Sequence, residues 1–288
     1  MTIFGSINTA VEALNAFSVK IGNISDNVAN ASTTGYKTVD TQFSDLVATR
    51  FQGSPVLNAT RQGGVTAAST FANRSPGQIV PDDSGSSAAV SGNGFFPVAK
   101  ATGLDPVTGE PTGFETTTYY TRQGDFHLDD GGHLVNSAGY YLMTGTVSGG
   151  GSPQVFTINT ADPALAAGLS DVSINDGGMV VANLSDHSTV KLGQILLANF
   201  PEPDGLDRVD GIAFRETAKS GGVVYGSAAD AGNSAGVGTV KGSALELSTA
   251  DTTDQMTQLI QTQQAYSMNS QIITISNAML QTAVNLKT

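Results

Sequence analysis

Residues 3 to 28 read IFGSINTAVEALNAFSVKIGNISDNV. The apolar residues fall at Ile3, Ile7, Ala10, Leu14, Phe17, Ile21, Ile24 and Val28, in steps that alternate four and three. That alternation is the a/d repeat of a coiled-coil seam and predicts one long helix. No proline interrupts it, and Gly22 is the only glycine beyond its first turn. Capping and turn residues follow from Asn30 to Gly35, where the helix is expected to end. At ~1.5 Å per residue it would be about 40 Å long.

The other end of the chain mirrors the first. Ser248 or Thr249 is placed to cap a second helix, with Asp251 and Asp254 in its first turns. Met256, Leu259, Tyr266, Ile273, Leu280 and Val284 then lie on a seven-residue frame. Gln263, Ser270 and Asn277 occupy the alternate seam positions, and Ile260, Ile272, Ile275, Met279 and Leu286 widen the stripe. The remaining face is almost uncharged. A helix with one long apolar stripe is not stable alone in water, so the two ends are expected to pair and then to meet neighbouring copies. The plainer alternative is that both helices pack on the middle of the chain.

That middle differs in kind. Residues 36–71 mix a short apolar patch (Phe43, Leu46, Val47, Phe51) with Gly53, Pro55, Gly63 and Gly64, and read as an extended connector opened by one more helical turn. Residues 72–240 carry short Val, Ile, Tyr, Phe and Thr runs bounded by Gly, Asp, Asn and Pro, which are strand signals. Asp129-Asp130-Gly131-Gly132 reads as a hairpin turn. The expected class is therefore α+β: a β-rich central domain (72–240) inserted between N- and C-terminal long helices that pair as a coiled-coil-like hairpin. Residues 1–35 with 245–288 would form the terminal helical domain.

Composition narrows the function. The 288 residues are 39% hydrophobic and only 13% charged, with a formal net charge of -12. That balance disfavours nucleic acid, which needs clustered Lys and Arg, and anionic membrane surfaces. There is no cysteine, which excludes disulfides and thiolate chemistry. The N-terminus lacks the basic start and apolar core of a cleavable signal peptide, and no run is long enough to span a membrane. His127 and His133 flank the hairpin turn and, with Asp125 or Asp129, are a conceivable metal pair; no second motif supports it, and exposed hairpin side chains are the simpler reading. Asp125 to Gly131 lacks the alternating acids and closing Glu of a calcium loop. No phosphate loop, nucleophile elbow or paired apolar carboxylates occur, so no catalytic, cofactor or metal residues are assigned.

Five stretches resemble one family. Asn27-Val28-Ala29-Asn30-Ala31-Ser32-Thr33-Thr34-Gly35-Tyr36-Lys37 is similar to the signature that opens flagellar rod and hook proteins. Ser91-Gly92-Asn93-Gly94-Phe95-Phe96-Pro97-Val98 and Tyr120-Thr121-Arg122-Gln123-Gly124-Asp125-Phe126 resemble the family's core β motifs. Gly242-Ser243-Ala244-Leu245-Glu246 and Gln263-Gln264-Ala265-Tyr266-Ser267-Met268-Asn269-Ser270 resemble its C-terminal signature. Two positions depart: Ser248-Thr249-Ala250-Asp251 replaces the usual Ser-Asn-Val-Asp, and Gln264 replaces an Arg that would charge the terminal bundle. Against that resemblance, the long outer domain of many hook proteins is missing or reduced to a remnant at 145–176.

The resemblance implies a structural subunit, not an enzyme, that polymerises into a hollow helical tube. The hook is the favoured reading, from the pattern Asn199-Phe200-Pro201-Glu202-Pro203-Asp204-Gly205-Leu206; the tube would bend as a universal joint while passing torque and exported subunits. A distal rod subunit fits the length as well. The terminal helices would line the channel with an uncharged wall, and the connectors would let the outer tube slide. Implied partners are further copies, the distal rod, hook cap and hook–filament junction proteins, and the flagellar type III export apparatus, with localisation in the basal body or hook outside the cell and no cleaved signal. A receptor- or glycan-binding β module on a coiled-coil stalk is the alternative of another class, and a β-rich hydrolase a third.

Overall fold

The computed structural model describes residues 3–46, 64–105, 111–145, 153–158, 168–228 and 236–285. The chain forms two compact units, one from Met1–Ala31, Thr38–Ala72 and Ala250–Thr288, the other from Ser32–Lys37 and Asn73–Thr249. It therefore passes between them four times, after residues 31, 37, 72 and 249.

In the first unit, helices α1 (Ile3–Ala29) and α2 (Thr252–Asn285) lie against each other. The cap of α2 is Asp251 and not Ser248 or Thr249. Asp251 Oδ1 accepts from the backbone N–H groups of Thr253 (2.7 Å) and Asp254 (3.3 Å), two donors that the first turn leaves unpaired. The N–H of Thr249 is instead committed to the carbonyl of Tyr36.

Residues 36–71 are extended where described, but as a paired ribbon and without the helical turn expected there. Strands β1 (Val39–Leu46) and β2 (Gly64–Phe71) are antiparallel, from Val39 opposite Phe71 to Leu46 opposite Gly64. A lone extended segment leaves its backbone groups unpaired; the ribbon satisfies them. It also packs on α1, where Asn23 Nδ2 donates to Thr41 (2.8 Å) and Ser69 (2.9 Å) and the rings of Phe17 and Phe43 lie 5.8 Å apart. Gly53 and Pro55 of the expected connector lie outside the described residues.

The second unit is built from short strands. They are β3 (Ile79–Pro81), β4 (Ala88–Ser91), β5 (Phe96–Leu104), β6 (Pro111–Phe114), β7 (Tyr119–Thr121), β8 (Phe126–Leu128), β9 (Leu134–Asn136), β10 (Tyr140–Thr144) and β11 (Gln154–Val155). Then come β12 (Leu169–Ile174), β13 (Met179–Leu184), β14 (Thr189–Gln194), β15 (Leu196–Asn199), β16 (Asp207–Arg208), β17 (Ala213–Arg215), β18 (Val224–Ser227), β19 (Thr239–Gly242) and β20 (Ala244–Glu246). The largest sheet runs β16-β17-β7-β5-β10-β9-β8, with β6 added to β5 and β11 to β10. β12-β13-β14 is a separate meander, and β15 pairs β18, β19 pairs β4 and β20 pairs β3. The hairpin turn at Asp129–Gly132 joins β8 and β9, closed by Gly132 N–H to Asp129 O at 3.1 Å.

Strand alternation builds two cores from adjacent residues. Phe96 enters a large cluster with Phe126, Leu142, Ile195 and Val240, while Phe95 enters a smaller one with Tyr120, Phe200, Leu206 and Phe214. Phe200 and Leu206, from the stretch read as a hook pattern, are thus core residues. In the expected remnant 145–176, residues 146–152 and 159–167 lie outside the described set. The described parts send Phe156, Ile158, Val172 and Ile174 into the large core. At Ser243 the chain turns from pairing β4 to pairing β3, with φ 47. A non-glycine residue in the left-handed region is strained, and the bonds Ser243 N–H to Ser87 O (2.9 Å) and Asp82 N–H to Ser243 O (2.8 Å) hold it there.

Candidate functional site

The segment Ser32–Lys37 belongs to the β-rich unit and is fixed along residues 246–249. Gly35 N–H donates to Glu246 O (2.8 Å), and Thr249 N–H donates to Tyr36 O (3.1 Å). Only glycine fits at 35. Its φ is +67, and a Cβ there would lie 2.5 Å from Gln123 N and 2.6 Å from Arg122 C. Gly124, from the second β motif, is equally constrained, since a Cβ would meet Ala88 O at 1.6 Å.

These close approaches bring Lys37, Arg122 and Glu246 together although they are far apart in sequence. Lys37 Nζ donates to Glu246 Oε1 at 2.6 Å and to Ser75 O at 2.7 Å. The same carboxylate oxygen accepts from Gly77 N–H at 2.7 Å, and Oε2 lies 3.4 Å from Arg122 Nη1. The side chains of Lys37 and Glu246 are 0% and 1% exposed. Burial lowers the pKa of Lys37; the Glu246 carboxylate opposes that shift and Arg122 adds to it. Burial lowers Arg122 likewise, against the attraction of Glu246.

Two cations facing one carboxylate leave an excess positive charge in the interior. Carbonyl dipoles meet it: Ser75 O on Lys37, and Val90 O (3.3 Å) and Gly92 O (2.8 Å) on Arg122. The Arg122 guanidinium also stands 5.1 Å over the Phe95 ring, a cation–π contact. Arg122 Nε is buried without a hydrogen-bond partner. Beside the cluster, Tyr36 is buried under the Arg208 guanidinium (4.7 Å), which donates to Lys37 O at 2.5 Å. The charged groups of this arrangement are bonded to one another and to backbone groups. Its chemistry is that of a clamp. The motif residues Gly35, Tyr36, Lys37, Gly92, Gly94, Phe95, Phe96, Arg122 and Gly124 all lie at or beside it or in the cores it borders; Glu246, the last residue of the stretch Gly242–Glu246, carries no role in the sequence reading, and here it joins the cations.

In the helical unit, Asn27 is buried and its amide acts like a neighbouring strand. Oδ1 accepts from Val39 N–H (2.8 Å), while Nδ2 donates to Val39 O (2.9 Å) and to Gln255 Oε1 (3.0 Å). Asn30 Nδ2 returns to Asp26 O (2.9 Å) at the end of α1. Along α1 the expected frame is covered: Ala10 and Ile24 are buried, and Ile7, Leu14, Phe17, Ile21 and Val28 are half-buried. The side chain of Ile3 lies outside the described set.

On α2 the covered face is more polar than expected. Gln255, Thr262 and Ser276 are buried, and Leu259, Ala265, Asn269, Ile273 and Leu280 are half-buried. Met256, Gln263, Tyr266 and Val284, placed on the seam by the seven-residue frame, are exposed. Small polar side chains let the helices approach, while Met268, Ile272, Ile275 and Met279 form a separate open stripe in steps of four, three and four. Met268 is 59% and Ile275 55% exposed.

His127 is exposed, whereas His133 is half-buried, with Nδ1 3.1 Å from Phe156 O and its ring edge-on to Phe114 and Tyr141. Among the described residues no group of three His, Asp or Glu is placed to hold a metal, and no helix is long and apolar enough to cross a membrane.

Comparison with known proteins follows the same geography. Residues 7–37 match the family described as flagella basal body rod protein, 89–182 the flagellar hook protein FlgE/F/G D1 domain, and 241–286 the flagellar basal body rod FlgEFG protein C-terminal family. The flagellar basal-body rod protein FlgG of Bacillus subtilis is 31% identical over 296 residues, covering 98% of each chain. FlgG of Caulobacter vibrioides is 28% identical, covering 98% of this chain and 99% of that one. The flagellar hook protein FlgE of Brucella abortus is 35% identical over 179 residues, 61% of this chain but 37% of its own length. The ion-clamp motif, the β motifs and α2 each fall inside a matched region, and this chain belongs to the family of flagellar rod and hook proteins.

Proposed function

We propose that the chain is a structural subunit of the flagellar axis that polymerises through its terminal helices, and that it is a distal rod subunit. The coverage supports rod over hook: relatives named rod proteins align end to end, while the hook relatives carry most of their length elsewhere. The higher local identity of the hook proteins keeps the hook as the second reading.

In this reading α1 and α2 pair as a coiled-coil-like hairpin lining a channel, and the β-rich unit forms the outer wall. The assembly residues are Ile3, Ile7, Leu14, Phe17, Ile21, Ile24 and Val28 on α1, and Met256, Leu259, Tyr266, Ile273, Leu280 and Val284 on α2. The exposure of Met268, Ile272, Ile275 and Met279 as one open stripe supports a docking surface for a second copy there. Burying it contributes roughly 25 cal/mol per Å². A head-to-tail contact that does not close yields a filament and not a ring. Asp254 is the only charged residue of α2, so the channel wall neither holds nor repels a passing unfolded chain. The partners are further copies, neighbouring axial proteins and the export apparatus; no catalytic step is part of the role.

The test is cryo-electron microscopy of basal structures from the source cell, with this chain located in the density. Finding it in the straight segment within the envelope supports the rod. Its presence in the curved tube outside moves it to the hook, and absence from both overturns the axial reading.

A further inference from the structure

Resting on the assembly reading above, we propose that Met268 and Met279 are modification sites whose oxidation to the sulfoxide by a hydroperoxide blocks docking of α2 on the neighbouring copy. The chain has six methionines and no cysteine, so thioethers are its readily oxidised sulfurs. They are not evenly accessible. Met143 is buried and Met179 half-buried in the β-rich unit, whereas Met256, Met268 and Met279 are exposed, all on α2.

Two of these three belong to the stripe. Met268 and Met279 enclose Ile272 and Ile275 on one face, while Met256, twelve residues before Met268, points roughly 120° away on a regular helix. In the reaction a sulfur lone pair attacks the terminal peroxide oxygen, the O–O bond breaks, and the peroxide is reduced to water or an alcohol. The thioether, oxidised by two electrons, gains one oxygen. A flexible apolar side chain becomes a polar one with a strong acceptor. Covering that acceptor in an apolar contact leaves it unpaired, the most costly outcome for a buried polar atom. In the polymer the same sulfurs are covered and protected, so the unassembled subunit is the sensitive form.

The experiment uses purified full-length chain, treated as monomer with hydrogen peroxide, with oxidised positions read by peptide mass mapping. Sedimentation then gives the concentration needed to polymerise. Oxidation at Met268 and Met279 should raise that concentration about tenfold or more, with helicity by circular dichroism unchanged. Met268→Leu/Met279→Leu should polymerise normally and resist peroxide, while Met256→Leu should remain sensitive. Oxidised native chain polymerising at the untreated concentration overturns the proposal, as does a double variant that stays sensitive. An untreated chain that never polymerises overturns the assembly reading itself, before any peroxide is added.

Discussion

Glu246 is the residue on which the β-rich unit's ion cluster depends, because among the described residues its carboxylate is the one that pairs with both Lys37 and Arg122. Removing one partner of a buried pair costs about 3–5 kcal/mol, since the other charge stays desolvated. Glu246→Ala strands two cations and Lys37→Ala leaves a cation–anion pair, so the first should lower stability more in chemical denaturation. Equal losses would contradict the clamp. Asp251 sets a second test at this scale. Hydrogen bonds from the backbone of Thr253 and Asp254 hold its pKa below the usual carboxylate value. A depressed folded-state pKa gives stability that is full above the unfolded value of about 3.9 and is lost as pH falls through the lower folded value. Asp251→Asn keeps the capping oxygen and should abolish that acid step in the helical signal; an unchanged step would place its origin elsewhere.

The helices separate two kinds of apolar residue. Leu259 and Ile273 of α2 lie on its covered face, so truncating either to Ala should loosen the α1–α2 pair by about 1–2 kcal/mol. Ile272 and Ile275 point outward, so Asp at either should change monomer stability by at most about 0.5 kcal/mol. In the assembly reading those same Asp variants fail to polymerise. Thermal melts paired with sedimentation distinguish the two sets. If Ile272→Asp and Ile275→Asp destabilise the monomer as much as the Leu259 truncation, the stripe is internal and the docking surface must be sought elsewhere.

At the scale of the molecule, the chain crosses between its two units four times, and residues near each crossing are tied within their own unit. Asn27 and Val39 flank two crossings within the helical unit, while Lys37, Asn73 and Thr249 are tied within the β-rich one, Asn73 Nδ2 donating to Pro203 O at 2.8 Å. Each unit thus fixes its own ends of the connecting segments. Terminal helices with so few charges should assemble with little help from electrostatics. Raising salt from ~50 mM to ~500 mM shortens the screening length severalfold. Polymer yield should hold or rise, as apolar burial does in salting-out conditions, and a steep fall would mean that charge pairs drive the contact.

The sequence by itself determined the α+β class, both helices, the β-rich character of the middle and the family, because each is carried by local periodicity, turn chemistry or a contiguous motif. Ile7 to Val28 shows a period, and Asp129 to Gly132 shows a turn. Its limits are equally physical. The β1–β2 ribbon pairs residues whose partners lie across a long interval, with Gly and Pro between them that read as a linker. The face of α2 that α1 covers carries Gln255, Thr262 and Ser276 in place of an apolar seam, so hydrophobic periodicity pointed to Met256, Tyr266 and Val284. Glu246 looks like any strand-end carboxylate until Gly35 and Gly124 allow backbones to approach and bring Lys37 and Arg122 to it. Which apolar residues are covered and which stay open, and which charges meet, is decided by neighbours distant in sequence, and only the tertiary structure supplies those.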